Sequence, residues 1–170
     1  ALAIGLDAAG NVYISGNTVA RSGNGTAWGS TEPGDYCAGS DIFLGGLARN
    51  GDLSWVRRFG TPHDDFLRAM VVVDDAIYVC GATYGEVVGA NQGDLDAFIS
   101  KFTLSGSEIW SYQLGSNDTD ECSAIVVGKI DDNSGSRPVY IAGSTAGDLF
   151  GSTTFEGVQY RYVARFSDTP

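Results

Sequence analysis

The sequence predicts an all-β protein built from a repeated antiparallel unit of about four strands, and three observations support this prediction. Residues 41–44 recur as residues 96–99, a spacing of 55. Short β-forming runs alternate with turn residues, and no segment has a helical period. A fixed spacing with matching apolar, Gly and Trp positions indicates one supersecondary unit used several times. The same spacing relates Gly51 to Gly106, Trp55 to Trp110, Gly60 to Gly115, Asp65 to Asp120 and Ala69 to Ala124.

The first half of the unit is a pair of strands joined by a tight turn. Residues 69–73 form a short continuous apolar run, which is typical of a strand that is buried on both faces. A turn at residues 74–75 leads to a second strand at residues 77–81, which recurs at residues 12–16 and 139–143. Val, Ile and Tyr favour these strands because their side chains pack well on a pleated surface.

The second half of the unit is a third strand and, in two repeats, a fourth strand with a central tryptophan. The third strand is expected at residues 41–47, 96–102 and 160–166. The fourth strand is expected at residues 53–59 and 108–114. Asn50-Gly51, which lies between two apolar runs, is a strong hairpin signal. We expect Trp55 and Trp110 to cover the face toward the next unit.

A four-stranded unit repeated at this spacing predicts β-propeller-type blades. The blades fall at about residues 1–60, 61–115 and 116–170, so residues 1–170 form one partial propeller of about three blades. The third copy lacks the Gly-x-x-x-Trp strand. Propellers close with about 4 to 8 blades, so the predicted ring is incomplete. A β-trefoil or a β-prism is the alternative architecture.

Composition excludes some classes of function. The 170 residues carry a net charge of -11, which disfavours nucleic acid because phosphate binding needs clustered Lys and Arg. No apolar run approaches the roughly 20 residues of a membrane helix, so no membrane insertion is expected. The 24 glycines fit many tight turns between short strands.

Catalytic motifs are not recognisable in the sequence. His63 is the one histidine, and we interpret it as a surface turn residue because Asp118 stands at the equivalent position of the next repeat. Neither a nucleophile elbow nor a phosphate-binding loop is present. The 21 acidic residues leave many carboxylate pairs for glycoside cleavage, but nothing singles one out. The sequence therefore predicts a non-enzyme without a cofactor.

Two oxygen-rich stretches are candidate calcium sites, since calcium takes several oxygen ligands. One contains Asp131 and Asn133, and the other contains Asp118 and Asp120. Solvated turns are the preferred interpretation of both stretches. Asp120 aligns with Asp65, and a repeated Asp at a loop end is expected to cap backbone N–H groups.

Sequons and cysteines add further candidates. Asn24 and Asn117 begin N-x-[ST] sequons in predicted loops and are candidate glycosylation sites. Three cysteines allow at most one internal disulfide. Cys37 and Cys122, at loop or strand-entry positions, are the candidate pair, and Cys80 is expected to be a buried free thiol.

These motifs resemble the SBBP-type β-propeller repeat, a family found in secreted and surface proteins. The family pattern contains D-A-F-V-x-K, G-x-x-x-W and V-D-x-x-G-N-V-Y-V-x-G-x-T. The chain matches it at residues 96–101, at Gly106 and Trp110, and at residues 6–16. It departs from the pattern in a long first loop and in an insertion at residues 131–137. The resemblance implies a propeller fold but carries no catalytic residues.

Together, the resemblance, the incomplete ring and the acidic charge favour a non-enzymatic extracellular structural or adhesion module on a cell surface, wall or filament. Its expected partners are further blades of a longer chain or neighbouring copies, because repeat units that cannot bury their own faces must stack. One alternative is a glycan- or ligand-binding propeller whose loop residues Trp28, Tyr36 and Tyr84 stack on sugar rings. A carboxylate-based hydrolase domain is the least favoured alternative.

Overall fold

Every regular element in the described part of the chain is a β-strand, which confirms the all-β prediction. The structure is a computed structural model that describes residues 3–19, 39–131, 133–149 and 159–168. These residues contain no helix able to span a membrane. The strands are β1 (Ala3–Leu6), β2 (Val12–Val19), β3 (Ser40–Leu47), β4 (Leu53–Phe59), β5 (Asp65–Val73), β6 (Ala76–Thr83), β7 (Asp96–Thr103), β8 (Glu108–Leu114), β9 (Asp120–Val127), β10 (Arg137–Thr145) and β11 (Tyr160–Asp168).

The strands form three antiparallel sheets in which neighbours in sequence are neighbours in space. Sheet 1 contains β1 to β4, sheet 2 contains β5 to β8, and sheet 3 contains β9 to β11. Each sheet lies within one of the three segments predicted from the repeat. Sheet 3 has three strands among the described residues, and the sequence of this repeat lacks the tryptophan strand.

Tight turns join the strands within each sheet. The Asp7 carboxylate accepts hydrogen bonds from the backbone N–H groups of Ala9 and Asn11, both at 2.9 Å, and so organises the turn between β1 and β2. Gly51 and Gly106 stand in the turns after β3 and β7 with φ of 92° and 82°. Glycine adopts this left-handed conformation without steric cost. The hairpin predicted at Asn50-Gly51 is therefore confirmed.

The pairing registers show that the sequence repeat is also a structural repeat. A tyrosine of the second strand stands three residues before a glycine in every sheet. Tyr13, Tyr78 and Tyr140 pair with Gly46, Lys101 and Arg165 of the respective third strands. Residues in matching registers are called equivalent below.

Sheet 2 packs face to face against both other sheets. At the first interface, between sheets 1 and 2, β5 contacts β1, β2 and β3. At the second interface, between sheets 2 and 3, β9 contacts β5, β6 and β7. The core of the first interface contains Tyr13, Ile42, Leu44, Leu67, Ile77, Val79, Phe98 and Phe102. The core of the second contains Ala76, Tyr78, Cys80, Ala97, Ile99, Cys122, Ile125, Val139, Ile141 and Tyr162.

The glycine near the end of the second strand has a steric role in two sheets. A Cβ at Gly81 would collide with the backbone oxygen of Phe66, and a Cβ at Gly143 would collide with that of Glu121. Both glycines lie at a register shift between the first and second strands. Close backbone approach at these positions therefore requires glycine.

Candidate functional site

Two equivalent tryptophans reach from one sheet to the next. Trp55 of β4 donates its Nε1–H to the backbone oxygen of Leu104 at 3.0 Å. Trp110 of β8 donates its Nε1–H to the Asp168 carboxylate at 2.9 Å. Both side chains pack against the cores between the sheets. This confirms the prediction that each tryptophan covers the face toward the next unit.

A buried carboxylate joins sheets 2 and 3. Asp168, at the end of β11, accepts hydrogen bonds from the Tyr78 hydroxyl, the Trp110 indole and the Lys101 ammonium, the last at 2.7 Å. Burial raises the pKa of Asp168, but the hydrogen bonds from these three side chains outweigh it and hold the pKa below its ordinary value. Burial and the bond to Asp168 raise the pKa of Tyr78. The carboxylate is thus a charged link across the second interface.

A disulfide crosses the same interface and corrects two sequence predictions. Cys80 of β6 is bonded to Cys122 of β9, with 5.9 Å between their Cα atoms. Cys122 therefore does not pair with Cys37, which lies outside the described residues, and Cys80 is not a free thiol. The physical reason is that β9 begins at Asp120, so Cys122 lies inside the strand and is buried against the central strand of sheet 2.

Repeated aspartates organise the loops that enter sheets 2 and 3. The Asp65 carboxylate accepts the backbone N–H of Thr61 at 2.5 Å and the hydroxyl of Thr83 at 2.6 Å. The equivalent Asp120 accepts the backbone N–H of Ser116 at 2.6 Å and its hydroxyl at 2.7 Å. The predicted capping role of this repeated aspartate is therefore confirmed.

A second buried carboxylate lies beside Asp65 at the first interface. Asp41 forms an ion pair with Arg58 at 2.5 Å, and both Asp41 and Asp65 border Gly60. Burial raises the pKa of Asp41 to about 6, helped by the charges of Asp65 and Asp64 and opposed by Arg58. Burial also raises the pKa of Asp65.

The candidate calcium ligands serve as turn acceptors. Asp131 accepts the backbone N–H groups of Asn133 and Ser134 at 2.9 and 3.0 Å, and these bonds lower its pKa. Asp118 accepts the backbone N–H of Thr119 at 2.8 Å, and Asp120 accepts the backbone N–H of Ser116. In the described ranges, no group of three or more His, Cys, Asp or Glu side chains is arranged to hold a metal ion.

The remaining candidate residues lie on loops. Asn117 is exposed between β8 and β9, and His63 is exposed in the turn before β5, as predicted. Tyr84 is 42% exposed and contacts Phe66 edge to face, with 6.2 Å between ring centroids. Three further candidates, Asn24, Trp28 and Tyr36, lie outside the described residues.

Asp168 and its partner Lys101 were missed by the sequence reasoning. Leu104 occupies the equivalent position in sheet 2, so the repeat gives no sign of a carboxylate there. The one available signal for the disulfide was that Cys122 is equivalent to the apolar Leu67, which indicates an inward-facing strand position.

The outer faces of the two end sheets expose apolar side chains. On sheet 3, Val163 is 72%, Val126 63% and Tyr140 41% exposed. On sheet 1, Ile4 is 72% and Leu6 61% exposed. We call these the sheet 3 open face and the sheet 1 open face. Contiguous exposed apolar residues indicate an interaction surface.

All three sheets border one cavity at the end where the first and second strands turn. This cavity has a volume of about 580 Å³. Its lining residues come from sheet 1 (Leu6, Asp7 and Ala8), sheet 2 (Val72, Val73 and Asp74) and sheet 3 (Val127, Gly128, Lys129, Ile130 and Arg137). The hairpins of the three sheets therefore converge.

No protein-family model and no curated protein matches this chain.

Proposed function

We propose that this chain is a non-enzymatic, extracellular structural or adhesion module, made of three blades of a β-propeller-type ring that assembles with further sheets through its open faces. The propeller arrangement is supported by successive antiparallel sheets that stack face to face. It is also supported by the cavity that the hairpins of all three sheets border. Rings of this type close with about 4 to 8 blades, so three leave two faces uncovered.

One observation carries the proposed assembly function. The side chains exposed on the end sheets are equivalent to side chains that the two internal interfaces bury. Tyr140 is 41% exposed, whereas its equivalent Tyr78 is 1% exposed. Burying apolar surface is favourable by about 25 cal/mol per Å², which gives these faces a reason to bind another sheet.

The proposed extracellular location is supported by covalent chemistry. Disulfides persist in oxidising compartments and are rare in the cytosol, and Cys80–Cys122 is a buried bond in the core of the second interface. The exposed position of Asn117 leaves its sequon accessible to modification. The net charge of -11 keeps such a module soluble before it assembles.

A covalent tandem of two copies, joined by a flexible Gly/Ser linker, tests the assembly function. If open faces stack on sheets, Tyr140 and Leu6 will become less reactive to hydroxyl radicals than in a dilute single copy, and the thermal midpoint will rise. A tandem with Val163→Asp in both copies is the matched control and should behave like the single copy. Two halves that unfold independently, with unchanged reactivity, would show the proposed function to be wrong.

A ligand-binding role is the second candidate, because a cavity of about 290 Å³ lies between sheets 1 and 2. Phe59 and Phe98 line it together with Glu86, Glu108 and Ser111. Aromatic rings beside carboxylate acceptors suit the apolar face and the hydroxyl groups of a sugar. A glycan array probed with the wild type and with Glu108→Gln tests this candidate; equal or absent binding by the two proteins would argue against this site.

A further inference from the structure

The cavity that all three sheets border, called the hairpin cavity below, has the composition of a small-molecule site. Its volume of about 580 Å³ lies within the range of about 300 to 1,000 Å³ that is usual for such sites. More than half of its lining residues are aliphatic, and Val72, Val73 and Val127 form the partly buried part of this wall. Small-molecule sites combine an apolar wall with a few polar groups that fix the position of the ligand.

The polar group that distinguishes the hairpin cavity is the guanidinium of Arg137. This residue is only 7% exposed, although it carries a full charge. One of its terminal nitrogens donates to the Gly128 backbone oxygen at 3.5 Å, and the other pairs with the Asp74 carboxylate. A guanidinium has five N–H donors in a planar fork that matches the geometry of a carboxylate. Arg137 therefore has the donor capacity to bind a further carboxylate from the cavity.

Arg137 and Asp74 both lie where the sequence repeat is broken. Arg137 ends the insertion at residues 131–137, and its equivalents in sheets 1 and 2 are Gly10 and Asp75. Asp74 stands in the turn between β5 and β6, and within the described ranges it is the one residue other than glycine with a positive φ, at 41°. Residues with a Cβ adopt this conformation rarely, and they do so preferentially at functional sites. Two departures from the repeat therefore meet at the hairpin cavity.

The charges around the hairpin cavity favour an anionic ligand. Asp74 is 71% exposed, so water competes for its carboxylate and its pair with Arg137 is readily exchanged. Asp7, the other acidic residue of the lining, already accepts four hydrogen bonds within its own turn and strand. Lys129 adds an exposed cation. A ligand carboxylate can thus replace an exposed partner of a buried guanidinium.

We propose that the hairpin cavity binds a small aliphatic carboxylate, whose charged group pairs with Arg137 and whose hydrocarbon part packs on Val72, Val73 and Val127. Pairing of a guanidinium with a carboxylate is charge-assisted and can be bidentate, which fixes the orientation of the ligand. The same chemistry is offered by a free short-chain acid and by an apolar C-terminal residue of a peptide. This inference goes beyond the proposed assembly function and does not depend on it.

Calorimetric titration of the 170-residue protein with hexanoate tests the proposal. Acetate lacks the hydrocarbon part, and hexylammonium keeps that part but reverses the charge. We expect hexanoate to bind, and both of these probes to bind at least about tenfold more weakly. N-acetylleucine distinguishes the two sources of the ligand. If it binds more tightly than hexanoate, the ligand is a peptide C-terminus, and if it binds more weakly, the ligand is a free acid.

Three variants test the role given to the buried guanidinium. Arg137→Gln should weaken hexanoate binding by about tenfold or more, because the charged donor fork is lost. Asp74→Asn should strengthen hexanoate binding severalfold, because it removes the carboxylate that competes for Arg137. Arg68→Gln is the matched control and should leave binding unchanged, since Arg68 pairs with Glu121 and does not line the cavity.

Circular dichroism shows whether each variant is folded, and the opposite effect expected of Asp74→Asn keeps the test decisive if Arg137→Gln unfolds. A wild type that does not bind hexanoate, or that binds hexylammonium equally well, would overturn the inference. So would hexanoate binding that neither Arg137→Gln nor Asp74→Asn alters, or that Arg68→Gln weakens as much as Arg137→Gln does. None of these outcomes bears on the assembly function, which depends on the open faces.

Discussion

The first and second interfaces use equivalent positions but different chemistry. Where the second interface has the disulfide between Cys80 and Cys122, the first has Ser15 and Leu67. Where Trp110 meets a carboxylate, Trp55 meets a backbone oxygen. The repeated backbone therefore decides where two sheets touch, and the side chains at those positions decide how firmly they are joined.

The first interface nevertheless has its own polar links. The Asn17 amide donates to the backbone oxygen of Asp65 at 2.8 Å, and the Ser40 backbone N–H donates to Asp64 at 2.6 Å. Phe59 and Phe102 contact each other across it at 4.8 Å between ring centroids. The donors of the two hydrogen bonds are neutral, and the Asp41–Arg58 ion pair lies within sheet 1. The second interface, by contrast, is bridged by a disulfide and by the Lys101–Asp168 ion pair.

Removing the disulfide should give the largest difference in stability loss between the second interface and the first. Cys80→Ala with Cys122→Ala, in a Cys37→Ser background, should lower the free energy of unfolding by about 2–5 kcal/mol. The reason is that the bond closes a loop across a sequence separation of 42 residues. Denaturant titration measures the loss. The matched change at the first interface, Ser15→Ala, should be neutral or stabilising, since the Ser15 hydroxyl is buried and finds no hydrogen-bond partner within the described residues.

Asp168→Asn should cost about 3 kcal/mol of unfolding free energy, because it leaves the buried Lys101 ammonium without its counter-charge. The side chains of Asp168 and Lys101 are 4% and 15% exposed. Glu121→Gln is the control, since Glu121 pairs with Arg68 at 3.4 Å, the two side chains are 27% and 39% exposed, and exposed pairs contribute about 1 kcal/mol or less. Equal losses in the two variants would contradict the role given to Asp168.

The two tryptophans allow a direct comparison of neutral and charged acceptors. Trp110→Phe removes a bond to a carboxylate and should cost about 2 kcal/mol beyond packing, whereas Trp55→Phe removes a neutral bond and should cost about 1 kcal/mol. Denaturant titration of both variants measures the difference. If Trp55→Phe lowers the free energy of unfolding more than Trp110→Phe does, then the second interface is not the more firmly joined of the two.

The smallest expected effect is an opposite response of the interfaces to pH. The pKa of Asp41 is raised to about 6. The contribution of Asp41 to the free energy of unfolding is therefore full below its ordinary pKa of 3.8 and is lost as pH rises through about 6. The pKa of Asp168 is lowered, so its contribution is present above 3.8 and is lost as pH falls. Stability of the wild type, Asp41→Asn and Asp168→Asn between pH 3 and 7 checks this. Asp41→Asn should remove the loss of stability toward neutral pH, and Asp168→Asn should remove the loss of stability toward acid pH. If the three proteins give parallel curves of stability against pH, the roles given to both carboxylates are wrong.

Much of the fold could be predicted from sequence because the signals are local. The bounds of β3, β4, β7 and β8 lie within one residue of the expected strands. The capping role of Asp65 was also predictable, since its partner Thr61 is four residues away. Strand, turn and cap preferences all act over a few residues, so a repeat of 55 makes each signal appear more than once.

The disulfide and the Asp168 link could not be predicted in the same way. Tyr78 and Asp168 are separated by 90 residues, and no repeated motif connects them. Placing Cys122 at a strand entry rather than inside β9 was enough to assign it the wrong partner. A shift of a single residue in a strand turns a side chain to the other face of the sheet.

The sequence by itself determined the repeated antiparallel strands, the turns between them and the side chains that alternate along each strand, because these depend on neighbours along the chain. Only the tertiary structure decided which faces meet, which cysteines bond and which apolar residues stay exposed at the two ends. Those outcomes depend on how sheets stack, and stacking is governed by the packing of side chains that are far apart in sequence.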